Sequence, residues 1–127
     1  MSGRSSRRKG SRGELEVCAI LRAAGLDARR TPNSGGLAWR GDVESVPGYV
    51  FEVKRAERLD IPGWLRQAYA ATRGGEVPVV VFRRDGRQNA PDGAWHAIVP
   101  LDVLAAMIAG SRTLNLPQPQ PKVEGET

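Results

Sequence analysis

One cysteine and one histidine in 127 residues leave little room for several kinds of chemistry. A lone cysteine closes no internal disulfide, and Cys18 on an apolar helical stripe reads as a small buried residue. His96 has no second histidine and no partner cysteine, which excludes a zinc site of the His/Cys kind and leaves it a structural role. Long apolar runs are missing as well. Nothing approaches the roughly 18 consecutive apolar residues of a membrane-spanning helix, and the charged N-terminus lacks the apolar stretch of a secretory signal. The expectation is a cytoplasmic protein with no membrane partner. Acidic residues are absent from the first 13 positions, which hold Arg4, Arg7, Arg8, Lys9 and Arg12. Basic and acidic residues balance over the rest of the chain, so that segment carries the whole formal charge of +5.

What is present fits one domain, since a chain of this length suffices for a single core. Residues 1–10 read as a basic flexible arm and 11–115 as the folded domain. The Pro/Gln/Glu-rich stretch 116–127 reads as a disordered tail. A basic, Gly/Ser-rich arm suits a phosphate backbone, where each neutralised phosphate releases counterions; a solubilising tail is the plain alternative.

Four residues stand out: Glu14, Asp42, Glu52 and Lys54. Clustered carboxylate oxygens hold hard divalent cations such as magnesium, and a lysine beside them positions a water or neutralises a phosphate. The last three lie in a segment from about 42 to 54 that is rich in β-formers and broken by Pro47-Gly48. It reads as a hairpin. Alternation puts Val50, Glu52 and Lys54 on one face and Tyr49, Phe51 and Val53 on the other. With antiparallel pairing, Asp42 at the start of one strand comes near Glu52 and Lys54 at the end of the next.

Glu14 belongs to a helix expected from about Ser11 to Ala24 and ended by Gly25. At about 100° per residue it shares a stripe with Val17, Cys18, Leu21 and Ala24, whereas Glu16 falls on the opposite, solvated side. A carboxylate in a core-facing stripe needs a partner, and a shared metal site would supply one. Glu-Val-Lys by itself is more often an exposed cross-strand charge pair than a catalytic motif. Its combination with a helix acid and an aspartate before the hairpin is what points to catalysis.

Downstream, Ile61–Arg73 is expected as a helix capped by Asp60, with Pro62 in its first turn. Val79-Val80-Val81-Phe82 reads as a buried strand, residues 94–99 as an edge strand, and Leu101–Ala109 as a short helix stopping at Gly110. With a short strand over 26–30, the order is helix, three strands, helix, two strands, helix, which suits a mixed sheet flanked by helices. Trp64 and Tyr69 read as core or dimer-interface residues. Arg29, Arg30 and Arg40 flank the flexible Asn33-Ser34-Gly35-Gly36 loop and could line a groove with Arg55 and Arg58.

The order of these motifs resembles the PD-(D/E)XK nuclease superfamily. Arg8-Lys9-Gly10-Ser11-Arg12-Gly13-Glu14-Leu15-Glu16, the apolar helix after it, Gly25-Leu26, Arg30-Thr31 and Asn33-Ser34-Gly35-Gly36 are similar to archaeal-type Holliday junction resolvases, over roughly residues 7–83. The segment from Gly35 to Arg40 is longer than in the archaeal pattern, and the proline ahead of the aspartate is absent, Gly41 standing there, which many members tolerate.

The resemblance implies an α/β fold of restriction-endonuclease type, with about five strands in a mixed sheet flanked by helices. It places Glu14, Asp42, Glu52 and Lys54 on the family's catalytic positions and Ser34 near a serine of its active-site loop. Magnesium, replaceable by manganese, would be held by Asp42, Glu52, the Val53 carbonyl and Glu14. Arg7, Arg8, Lys9, Arg12, Arg29, Arg30 and Arg40 would contact DNA, and Gln67, on the helix after the Glu-x-Lys strand, would support the site. The implied activity is that of a homodimer nicking opposed strands of a four-way junction, in a cell or in the host cytoplasm of a virus. A nuclease of the same fold acting on duplex, flap or other branched DNA would use the same four residues. A non-catalytic DNA-binding relative is the third reading.

Overall fold

The computed structural model describes residues 3–32, 41–86 and 89–114. Along the chain run helix α1 (Gly3–Ala23), strands β1 (Arg29–Arg30), β2 (Val43–Glu44) and β3 (Tyr49–Ala56), helix α2 (Ile61–Ala71) and strand β4 (Val77–Arg84). A 3-10 turn (Pro91–Gly93), strand β5 (His96–Ile98) and helix α3 (Leu101–Leu114) follow. The strands form one sheet in the order β1-β2-β3-β4-β5. Only β3 and β4 run parallel; the other three pairings are antiparallel. This is the expected mixed α/β sheet of restriction-endonuclease type.

The parallel pair dictates α2, because a strand can be joined to a parallel neighbour only by a crossover. Asp60 starts that helix by accepting from the Gly63 N–H at 3.2 Å, and Pro62 in the first turn has no N–H to leave unpaired. The two faces of the sheet are covered separately. Phe51 and Val53 of β3, with Val43, Val79 and Val81, pack against Val17 and Cys18 of α1. On the other face Val80 packs under Trp64 and Ala68 of α2, with Phe82 and Ile98 at the margin. The Val79–Phe82 run is apolar because both faces of β4 are covered.

Several boundaries differ from the sequence reading. α1 begins at Gly3 and takes in the basic segment expected to precede it; that segment has no proline, and Arg and Lys are good helix formers. α2 ends at Ala71, short of Arg73. α3 runs through Gly110 to Leu114, because Gly110 does not take the positive φ of a helix-ending glycine. The strand sought over 26–30 is reduced to Arg29–Arg30. Trp64 is in the core, one of the two places expected for it, and Tyr69 is exposed, which removes the core and leaves the interface alternative. No described helix is long and apolar enough to cross a membrane. The 116–127 stretch lies outside the described residues.

Candidate active site

The hairpin forms in the register that brings its acids together. Val43 pairs with Phe51, the Asp42 N–H donates to the Phe51 carbonyl at 2.7 Å, and the Val53 N–H donates to Asp42 Oδ2 at 2.7 Å. Asp42 is thus fixed at both its backbone and its carboxylate, directly across from the Glu52-Val53-Lys54 run. The chain enters this position through Gly41, whose φ is +82°. A Cβ there would stand 2.6 Å from the Phe51 carbonyl oxygen, so both the angle and the space require glycine.

Glu52 is the one charged residue among the buried ones described, at 6 % exposure. Burial first, and then the negative charge of Asp42, push its carboxyl up to about 7. A hydrogen bond with Asp42 favours the protonated form further, and Lys54 opposes the shift. Lys54 follows on the same face of β3, and its Nζ donates to Gln67 Oε1 on α2 at 2.7 Å. Gln67 therefore restrains the ammonium group from the helix that covers this face.

Glu14 approaches from α1. Its Oε1 accepts from Arg30 Nε at 2.7 Å, and Arg30 Nη2 donates to Ser11 Oγ at 2.9 Å, one turn earlier on the helix. Burial raises the Glu14 carboxyl, the Arg30 hydrogen bond pulls it back, and the charge of Asp42 raises it again. Those mutual influences mark Glu14, Asp42 and Glu52 as one electrostatic group. The partner that the core-facing Glu14 needed is Arg30.

A protein-family match spans residues 5–102, from the basic turns of α1 to the first residues of α3, and the family is described as "phage putative PDDEXK endonuclease". The chain belongs to this family. No curated protein matches it. As a PD-(D/E)XK endonuclease it falls in a superfamily that generally uses divalent metal ions, with DNA as the partner.

The donor set fits such an ion. Among the described residues no three His, Cys, Asp or Glu side chains form a ready-made metal cluster. Magnesium, however, keeps several of its waters and takes only one or two carboxylates from the protein. Asp42 and Glu52 offer two, hydrogen-bonded to each other and costly to ionise together without a cation.

The remaining sequence candidates are dispersed. Ser34 and Arg40 lie outside the described residues. Arg7, Arg8 and Lys9 fall on the first turns of α1, and Arg12 is exposed two residues before Glu14. Arg29 is on the surface beside Asp27, 3.1 Å away. Arg55, expected along a groove, is instead held by Asp85 at 2.8 Å.

Glu16 is not the solvated acid that helical phase suggested. It accepts from Arg83 Nη1 at 2.6 Å and from Trp95 Nε1 at 3.0 Å, pinning α1 to β4 and to the residue that precedes β5. Helical phase shows which side of α1 faces the sheet centre but not what rises beside the helix. Sequence reasoning also missed Ser11 and the Glu14 to Arg30 pair, because partners 16 residues apart leave no local pattern.

Proposed function

We propose that this endonuclease is a magnesium-dependent, structure-selective enzyme that resolves four-way DNA junctions by paired symmetric nicks. The reading rests on one observation above all: Asp42, Glu52 and Lys54 converge at the end of the hairpin through the Val53 to Asp42 hydrogen bond, with Glu14 coupled to them from α1. Junction selectivity and a homodimer, in which two sites face opposed strands, follow from the resemblance to archaeal-type resolvases. The working parts are a nuclease domain over 11–115, a basic segment before it and a tail after it, acting in the cytoplasm.

In this mechanism Asp42, Glu52 and the Val53 carbonyl would hold the magnesium, which would lower the pKa of a bound water and screen the charge of the scissile phosphate; Glu14, which makes no three-carboxylate cluster with them and is held by Arg30, would act on the ion through a water. Lys54, restrained by Gln67, orients the attacking water and stabilises the charge developing on the phosphoryl oxygens. Water adds through oxygen to phosphorus, the P–O3′ bond breaks, and the departing oxygen takes a proton. The products are a 5′-phosphate and a 3′-hydroxyl. Arg29 and Arg40, which bracket Ser34 in the sequence, are assigned to the phosphate backbone with Arg7, Arg8, Lys9 and Arg12. Arg30 stands at the same edge and holds Glu14.

A labelled immobile four-way junction, a matched linear duplex and a flap, each incubated with magnesium or with a chelator, test the reading beside Glu52→Ala. Paired symmetric nicks confined to the junction, absent in the chelator and in the variant, are expected. Equal cutting of all three substrates makes the enzyme a general nuclease of this fold. Tight binding without cutting leaves a DNA-binding relative.

A further inference from the structure

Thr31 carries a buried polar atom that the fold leaves without a partner. Among the described residues its Oγ1 is shielded from solvent and makes no hydrogen bond. Arg83 Nε is in the same position, but that guanidinium already bonds Glu16 through Nη1. Thr31 has only its one hydroxyl. Burying a hydroxyl without a partner costs stability, and valine, of nearly the same shape, would carry no such cost. The position therefore calls for a partner from outside the chain, an ordered water or the shell of an ion.

Strand register sets this hydroxyl beside the acids. Arg29 faces Glu44 and Arg30 faces Val43. The pairing continues one step further, where the Thr31 N–H donates to the Asp42 carbonyl at 3.1 Å. Successive side chains of an extended segment alternate between the two faces of a sheet. Arg30 reaches toward α1, where it binds Glu14 and Ser11, so Thr31 turns to the opposite face. Phe51 and Val53 of β3 also pack toward α1, which leaves Glu52 and Lys54 on the face that Thr31 shares. Two consecutive residues thus serve two acids: Arg30 holds Glu14 from one side of the sheet, and Thr31 stands beside Asp42 on the other.

We infer that Thr31 is a positioning residue for the cation: its hydroxyl accepts from a water of the ion's shell and keeps that water on the Asp42 side of the site. Magnesium retains several waters when it binds to protein, and each of them needs an acceptor for its hydrogens. A hydroxyl can accept and donate at once, so it meets that need without adding charge beside Asp42 and Glu52. The Asp42 carboxylate is already oriented by the Val53 amide at 2.7 Å; Thr31 completes its surroundings from the neighbouring edge segment. This inference rests on the metal-dependent part of the proposed function and not on junction selectivity.

Thr31→Val keeps the shape and removes the hydroxyl. Its thermal midpoint is followed against magnesium concentration and in chelator, without DNA, beside wild type and Thr31→Ser. In chelator the valine variant is expected to melt at or above the wild-type temperature, because an unpartnered buried hydroxyl has gone. It is expected to need about tenfold more magnesium for the same rise in midpoint, as when an outer partner of a metal ligand is lost, and Thr31→Ser is expected to follow wild type. A hydroxyl with a purely structural role gives the opposite pattern, a lower midpoint in chelator with an unchanged response to the ion, and that result overturns the inference. A valine variant that matches wild type in every condition overturns it as well. A wild type indifferent to magnesium removes the ion from the site and the inference with it. Equal cutting of junction, duplex and flap would instead defeat junction selectivity and leave Thr31 in its role.

Discussion

Arg30 Nε and Glu14 Oε1 stand 2.7 Å apart, joining an edge strand to the middle of the first helix across 16 residues of sequence. Both side chains are largely shielded, at 28 % and 17 % exposure. Removing the guanidinium leaves a half-buried carboxylate without its donor. Arg30→Ala is expected to slow nicking by about 10- to 100-fold and lower stability by about 1–2 kcal/mol, with Arg30→Lys recovering part of the rate. Single-turnover rates and urea unfolding would check this; unchanged rates would remove Arg30 from the site.

Gln67 holds the Lys54 ammonium at 2.7 Å. Gln67→Ala should reduce the rate of the chemical step by about tenfold without weakening DNA binding, and Lys54→Ala should reduce it further. Equal losses of binding and rate in Gln67→Ala would mean that it contacts DNA directly.

Glu52, pushed up to about 7, keeps a proton in the folded protein that the unfolded chain releases near the ordinary value of 4.5. Between those values the folded state binds more protons, so stability falls as pH rises through that window. Glu14 shifts in the same direction. In chelator, Glu52→Gln should flatten this part of the stability profile, by an amount on the order of 3 kcal/mol. A profile identical to wild type would show that Glu52 ionises freely.

If Asp42 and Glu52 hold magnesium in the folded state alone, the ion should raise the thermal midpoint in proportion to the logarithm of its concentration. The increment should grow with pH as Glu52 loses its proton, and should vanish in Asp42→Asn. A midpoint indifferent to the metal would argue against Asp42 and Glu52 as its ligands.

Glu16 binds Arg83 and Trp95, well away from the catalytic candidates. Glu16→Ala should cost about 1–3 kcal/mol of stability, because Arg83 is 14 % exposed and would lose its carboxylate. The nicking rate below the unfolding transition should not change. A selective loss of rate would give Glu16 a catalytic part.

Much of this fold was legible because its signals are local. The order of elements, the Pro47-Gly48 turn, the Asp60 cap and the apolar Val79–Phe82 run each depend on residues a few positions apart. Asp42 and Glu52 were legible for the same reason, since a hairpin turns sequence proximity into spatial proximity. The partners of Glu14, Glu16 and Arg55 were not. Arg30, Arg83 and Asp85 reach them through the packing of separate elements, 16, 67 and 30 residues away. The extent of α1 was missed for another reason: a run of positive charge looks alike whether it is coiled or extended.

The positive φ of Gly41 also bears on how such enzymes diverge. Proline is locked near −65°, so the residue that many relatives carry before the aspartate cannot enter this backbone at +82°. Replacing one by the other would require rebuilding the approach to the hairpin, while the aspartate and its bond to the Val53 amide stay as they are. The aspartate thus reaches the Val53 amide along a path of the chain that only glycine can take.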